Sequence, residues 1–204
     1  MSNKKTIIGS GLAGPLLAIL LAKRGYSVDL FEKHADPRLE HVPAGRSINL
    51  ALSHRGIEAL KSASIFEMVE PLLIPMKGRM IHHKNGELDF QSYSINAEEY
   101  INSVSRSELN KILITTAENT GRVNIHFSHA LSSIQDNQLE FENSHKVEID
   151  NEIIGADGSG SVVRKYIDSN CDLPSTTTPL GHAYKELTIA TGKNGDFQID
   201  ANSL

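Results

Sequence analysis

The sequence is poor in cysteine, lacks tryptophan and has no long apolar run. Cys171 is the single cysteine, so no internal disulfide can form and a reducing compartment, the cytoplasm, is expected. The net charge of the 204 residues is −5 and no basic run occurs, which argues against a nucleic-acid partner. Too few residues precede the apolar run TIIG for a charged leader with its own apolar segment. The run LAGPLLAILLA is shorter than the roughly 20 residues of a membrane span, so we expect no membrane segment.

Motifs of two enzyme classes are also missing. There is no G-x-S-x-G nucleophile elbow and no C-x-x-C pair, so hydrolases and zinc proteins have no support. The histidine pairs His82 with His83 and His126 with His129 would each fall on opposite faces of a strand. We therefore predict no metal site.

The first thirty residues follow the pattern of a strand, a tight turn, a helix and a second strand. Gly9-x-Gly11-x-x-Gly14 lies where the first strand meets the helix, and Glu32 ends the second strand. In such a βαβ unit the glycines allow the turn, the approach of a pyrophosphate and close helix packing, while the carboxylate accepts from ribose hydroxyls. The pattern predicts a dinucleotide site and leaves the choice between FAD and NAD open.

A second glycine turn lies in IIGADGSGSVVR, with Asp157 at the end of a strand. An ordinary Asp-Gly turn that caps the following helix explains this segment equally well. Two such turns about 145 residues apart favour a ligand that is too long for one turn to hold.

Other segments predict further elements. Ser53 is a candidate N-cap, Asn85-Gly86 favours a hairpin, and Ser105 with Glu108 forms a capping box before a helix that stops near Gly121. Residues 130–150 resemble an antiparallel meander.

The segment GRSINLALSHRG places Arg46 beside apolar residues. A buried arginine needs a negative or polar partner, whereas an arginine that points into water needs none. The residues of this segment leave both interpretations open.

Together these segments resemble the single-component flavin-dependent aromatic hydroxylases. The resemblance is carried by TIIGSGLAGPLLAILLAKRGYSVDLFEK, GRSINLALSHRGIEAL, KGRMIHHKNGE, SVSRSELNKIL, IIGADGSGSVVR and GHAYKEL. It implies FAD as the bound cofactor and NADPH as the co-substrate, and it gives Arg46 a partner among the cofactor oxygens. The cofactor-binding residues that it implies are Gly9, Gly11, Leu12, Ala13, Gly14, Glu32, Lys33, Arg46, Ser47, Arg106, Leu131, Asp157 and Gly158.

Within this family the chain is most similar to members that hydroxylate L-kynurenine at ring position 3 with NADPH and O2. Arg79 and Tyr93 match the residues that hold the substrate's carboxylate. No catalytic side chain is implied, because the flavin carries the chemistry. A related hydroxylase or reductase with another substrate, and a non-catalytic nucleotide-binding fragment, remain alternatives.

The implied fold class is α/β, a Rossmann-like FAD-binding domain of the aromatic hydroxylase type with part of a β-sheet substrate domain. We expect residues 1–77 and 100–172 in the FAD-binding domain, and 78–99 and 173–204 in the partial substrate domain. The family continues for a stretch about as long as this chain, with a late Gly-Asp motif that Gly195-Asp196 does not match. The 204 residues alone are therefore predicted to be inactive.

Overall fold

The computed structural model describes residues 3–39, 49–96, 98–171, 175–182, 189–200 and 202. The helices in this part of the chain are α1 (Ala13–Lys23), α2 (His54–Ser62), α3 (Phe66–Val69), α4 (Arg106–Asn119) and α5 (Val162–Asn170), with a 3-10 turn at Glu70–Leu72. The strands are β1 (Lys4–Ile8), β2 (Ser27–Phe31), β3 (Asn49–Leu52), β4 (Ile74–Met76), β5 (Gly78–His82), β6 (Leu88–Ser92), β7 (Ile101–Ser105), β8 (Val123–His126), β9 (Leu131–Gln135), β10 (Gln138–Phe141), β11 (Lys146–Glu148) and β12 (Ile153–Gly155). Two compact units result, Met1–Gly45 with Leu109–Leu180 and Arg46–Glu108 with Gly181–Leu204.

The first unit is built on a parallel sheet with strand order β12-β1-β2-β8. Ile7, Val28 and Leu30 are buried in its strands, and Ala18 and Ile19 are buried in α1. In a parallel sheet the helices that connect the strands cover its faces, and this buries the apolar side chains of the strands. This arrangement confirms the predicted α/β class.

The meander predicted for 130–150 is the antiparallel sheet β9-β10-β11. Its Leu139 and Phe141 are almost fully buried against Ile8 and Phe31 of the parallel sheet and Val163 of α5. Full burial of one such side chain contributes roughly 1.5–3 kcal/mol. This core therefore fixes the ends of β1 and β2, from which the glycine turn and Glu32 extend.

The second unit contains the antiparallel sheet β3-β7-β4 and the hairpin β5-β6. The hairpin turns at Asn85-Gly86 as predicted, with φ +89° at Gly86 and a bond from the His83 N–H to the Glu87 carbonyl. Ser53 caps α2 by accepting from the Gly56 N–H at 3.4 Å. The turn and cap residues read from the sequence are thus in place.

The two compact units do not coincide with the two predicted domains, whose boundaries stay a prediction. Residues 46–77 and 100–108, predicted for the FAD-binding domain, belong to the same compact unit as the hairpin. The physical reason is that β7 pairs with both β3 and β4, so these strands form a separate sheet. Within the described residues no helix is both long and apolar enough to span a membrane.

Candidate functional site

The first glycine turn packs against the second. Gly9 has φ +104°, and a Cβ on it would lie 2.5 Å from the Ala156 carbonyl oxygen and 2.8 Å from the Asp157 Cα. A Cβ on Gly14 would clash with the Gly9 carbonyl oxygen. Both positions therefore exclude side chains, one through its backbone conformation and the contact with the second turn, the other through close helix packing.

Gly11 differs from these two glycines, because a Cβ there would meet no atom within 4 Å. The space beside it opens at the N-terminus of α1, where Leu12 provides no side-chain cap and the first turn has no acidic residue. Such a helix end carries unpaired N–H groups and about half a positive charge. The hydroxyl of Ser10 is also buried, with no hydrogen-bond partner in the described part of the chain. These features fit a phosphate group of a dinucleotide.

Glu32 holds one side of this turn. Its Oε2 accepts from the backbone N–H of Ser10 at 2.7 Å, and its Oε1 accepts from that of His34 at 2.9 Å. The carboxylate thus lies beside the glycine turn at the end of β2, where a ribose would be recognised. Lys33, the next residue, is exposed.

In the second turn, Ser161 is the N-cap of α5 and Asp157 supports this cap. The Oδ2 of Asp157 accepts from the Val162 N–H at 2.7 Å, and its Oδ1 accepts from the Ser161 hydroxyl at 2.6 Å. This is the capping geometry that the sequence left open as an alternative. Gly158 follows with φ +79° and open space around it. The cap fixes the turn that contacts Gly9, and a role of Asp157 toward the cofactor stays a prediction.

The structure adds Asn110, which the sequence analysis missed. From α4 its Nδ2 donates to the carbonyl oxygens of Ser10 at 2.9 Å and Gly11 at 3.0 Å. In the sequence, the indication that Asn110 has a function is weak: it is a polar residue near Leu109 and Leu113, which are buried on the same helix.

The remaining predicted cofactor residues that the structure describes differ in their exposure to solvent. Arg106 is exposed and is the first residue of α4. Leu131 is the first residue of β9, and its side chain is buried in the core between the meander, the parallel sheet and α5. Arg46 and Ser47 lie outside the described residues. The cofactor role of these four residues stays a prediction.

Arg79 lies in β5 of the hairpin, and Tyr93 directly follows β6. Arg79 lies opposite Gln91, and the Tyr93 N–H donates to the Lys77 carbonyl at 3.0 Å. Side chains two residues apart on a strand point the same way, so the register would make Arg79 and Tyr93 diagonal neighbours if it continued beyond the end of β6 at Ser92. Both are exposed. One carboxylate can bridge such a pair, as the predicted role requires.

The prediction that His126 and His129 lie on opposite faces of one strand is wrong. β8 ends at His126, and Ser128 has φ 58°, so His129 lies beyond the strand. The two rings are 6.0 Å apart, and both contact Phe31. Among the described residues no group of three or more metal-ligating side chains occurs.

A polar network lies on the parallel sheet at Asp29. Burial raises the pKa of its carboxyl group, but hydrogen bonds from Lys4 and His126 outweigh burial and lower the pKa below its ordinary value. The Lys4 ammonium is 2.6 Å from one carboxylate oxygen, and the His126 Nε2 is 3.2 Å from the other. This cluster stabilises the sheet.

Comparison with known families decides the cofactor. A family model described as an FAD binding domain matches residues 4–185. The chain belongs to this FAD-binding domain family. Its cofactor is therefore FAD, as predicted. The open space at Gly11, the uncapped end of α1 and the unpartnered Ser10 hydroxyl are consistent with this cofactor.

Curated relatives narrow the resemblance. A kynurenine 3-monooxygenase of Myxococcus xanthus is 41% identical over 205 residues, covering 98% of this chain and 44% of the relative. A kynurenine 3-monooxygenase of Cytophaga hutchinsonii is 43% identical over 199 residues, covering 94% of this chain and 44% of the relative. The chain thus spans less than half the length of these relatives.

Solved structures support the fold alone. A 2-methyl-3-hydroxypyridine-5-carboxylic acid oxygenase has a TM-score of 0.65 at 24% identity, covering 81% of this chain and 42% of that one. A p-nitrophenol 4-monooxygenase from Pseudomonas putida has a TM-score of 0.64 at 19% identity, covering 82% of this chain and 44% of that one.

Proposed function

We propose that this chain is the FAD-binding part of a kynurenine 3-monooxygenase. The reaction converts L-kynurenine, NADPH, a proton and O2 into 3-hydroxy-L-kynurenine, NADP+ and water. The observation that carries the proposal is a sequence identity of 38–43% to kynurenine 3-monooxygenases over more than nine-tenths of this chain. The single cysteine further supports placing the protein in the cytoplasm.

The first task of the chain in this reaction is to hold the cofactor. Bound FAD supplies the redox chemistry, since it takes electrons from NADPH and activates O2. The free N–H groups at the start of α1 bind its pyrophosphate, and Glu32 binds the adenosine ribose. Arg46 and Arg106 are assigned to cofactor oxygens, where charge-assisted hydrogen bonds contribute roughly 1.5–3 kcal/mol each.

The second task is to orient the substrate. Arg79 is the main anchor for the carboxylate of L-kynurenine, and the Tyr93 hydroxyl donates to the same group. The register of the hairpin supports this assignment, because Arg79 pairs with Gln91 and the Tyr93 N–H donates to the Lys77 carbonyl. A fixed carboxylate limits the orientations that the aromatic ring of the substrate can adopt, which favours hydroxylation at a single carbon. No side chain needs to act as a nucleophile.

The test uses a complete enzyme that carries this sequence. NADPH oxidation is measured with L-kynurenine and a panel of other aromatic acids, and the products are identified. We expect L-kynurenine to stimulate oxidation most and to yield 3-hydroxy-L-kynurenine. Greater stimulation by another aromatic acid, with hydroxylation of that acid, would assign the protein to a related hydroxylase. Absence of flavin absorbance after incubation with FAD would leave only a nucleotide-binding fragment.

A further inference from the structure

The amide side chain of Asn110 controls the direction of two backbone peptides in the glycine turn. Its Nδ2 donates to the carbonyl oxygens of Ser10 and Gly11, at 2.9 and 3.0 Å. In a planar trans peptide the C=O and the next residue's N–H point in opposite directions. A carbonyl held toward α4 therefore turns the following N–H away from α4. Asn110 in this way orients the N–H groups of Gly11 and Leu12 together.

These two N–H groups are available to a ligand, together with those of the first turn of α1. The Ser10 N–H already donates to Glu32 at 2.7 Å. Within the described part of the chain, no hydrogen bond occupies the N–H of Gly11 or Leu12. The space at Gly11 is open, because a Cβ on this residue would have no atom within 4 Å. The turn thus has two donors that are unpaired within the described residues and lie beside open space, and Asn110 binds the carbonyl oxygens of the same peptides.

The turn needs such support because glycine has the largest conformational freedom of any residue. Without the Asn110 bonds, the peptides on either side of Gly11 could rotate, and the donors would have to be ordered when a ligand binds. Donors that are already oriented bind an anion without this ordering cost.

We propose that Asn110 is a positioning residue for the cofactor: it orients the Gly11 and Leu12 N–H groups toward the FAD pyrophosphate. Asn110 does not touch the cofactor in this proposal. It acts through the backbone of the glycine turn, and its effect is on affinity for FAD rather than on the chemistry.

The main variant is Asn110→Leu, which keeps the size of the side chain and removes its donors. The control is Asn119→Leu, because Asn119 is an exposed asparagine at the end of the same helix. Fluorescence titration with FAD should show an affinity about 10- to 100-fold lower for Asn110→Leu, the scale of two lost hydrogen bonds. Asn119→Leu should bind like the unaltered chain. Asn110→Gln, which keeps the donors on a longer side chain, should recover part of the loss.

A second measurement needs no cofactor and separates positioning from general stability. Backbone NMR of the free protein should show shifted resonances and faster amide exchange at residues 10–12 in Asn110→Leu, with thermal unfolding changed by only a few degrees. If Asn110→Leu does not fold, Asn110→Asp, which keeps the shape but removes the donors, takes its place. An affinity within twofold of the unaltered chain, or unchanged signals at residues 10–12 in a folded variant, would overturn the proposal.

Discussion

The glycines of the first turn should separate folding from cofactor binding. Gly9→Ala forces a side chain into φ +104°, which costs roughly 1–3 kcal/mol. Its Cβ would also lie 2.5 Å from the Ala156 carbonyl oxygen, an overlap that adds roughly 1–3 kcal/mol. At roughly 2–4 °C per kcal/mol for a chain of this size, the melting temperature should fall by roughly 4–24 °C.

Gly11→Val should leave the stability of the fold unchanged and weaken cofactor binding instead. Its Cβ meets no atom within 4 Å, so stability should stay within about 0.5 kcal/mol. The added side chain occupies the space that the pyrophosphate needs. Loss of two charge-assisted hydrogen bonds, roughly 1.5–3 kcal/mol each, should weaken FAD binding by about 100-fold or more.

The assay pairs thermal unfolding with FAD titration for both variants, and Gly181→Val is the control because the space around Gly181 is also open. If Gly11→Val bound FAD like the unaltered chain, the pyrophosphate would not lie against Gly11. If Gly9→Ala melted at an unchanged temperature, the contact between the two turns would be wrong.

Three further predictions follow from the hairpin, the sheet and the whole chain. In a complete enzyme, Arg79→Ala should weaken L-kynurenine binding by roughly 2–4 kcal/mol while FAD is retained. The control Lys84→Ala, at the hairpin tip, should change the binding of neither L-kynurenine nor FAD. Unchanged kynurenine affinity in Arg79→Ala would refute the role of Arg79 as the carboxylate anchor. Asp29→Asn should destabilise the fold by about 1 kcal/mol at pH 7. The folded pKa of Asp29 lies below its unfolded value, so the loss of stability in Asp29→Asn should be full above about pH 5 and shrink as the pH falls below about 4. Urea unfolding measures this loss, with Asp89→Asn as the control. A loss of stability that does not depend on pH would contradict the prediction. The 204 residues alone should retain FAD weakly and form little 3-hydroxy-L-kynurenine per NADPH oxidised, and a ratio near one would show that they suffice.

Local signals explain what the sequence predicted well. The Gly9 turn, the Ser53 cap and the Asn85-Gly86 hairpin each depend on residue types whose conformational preferences act within a few positions. The meander was also predictable, because short apolar strands alternate there with polar turns.

Long-range contacts explain what the sequence missed. Asn110 meets the glycine turn about 100 residues away, and no local pattern distinguishes it from a polar residue on a helix surface. The pairing of β7 with β3 and β4 is likewise not visible in a local pattern, because it joins strands that are distant in sequence. The positive φ of Ser128, which carries His129 out of β8, is equally hidden, because serine rarely adopts it.

The central claim is that this chain binds FAD through the turn at Gly11. Parallel equilibrium titrations of the purified chain with FAD and with NAD, followed by flavin fluorescence and by calorimetry, test it most directly. We expect saturable binding of FAD, which Gly11→Val weakens by about 100-fold or more, and much weaker binding of NAD. Stoichiometric, tight binding of NAD with no affinity for FAD would contradict it.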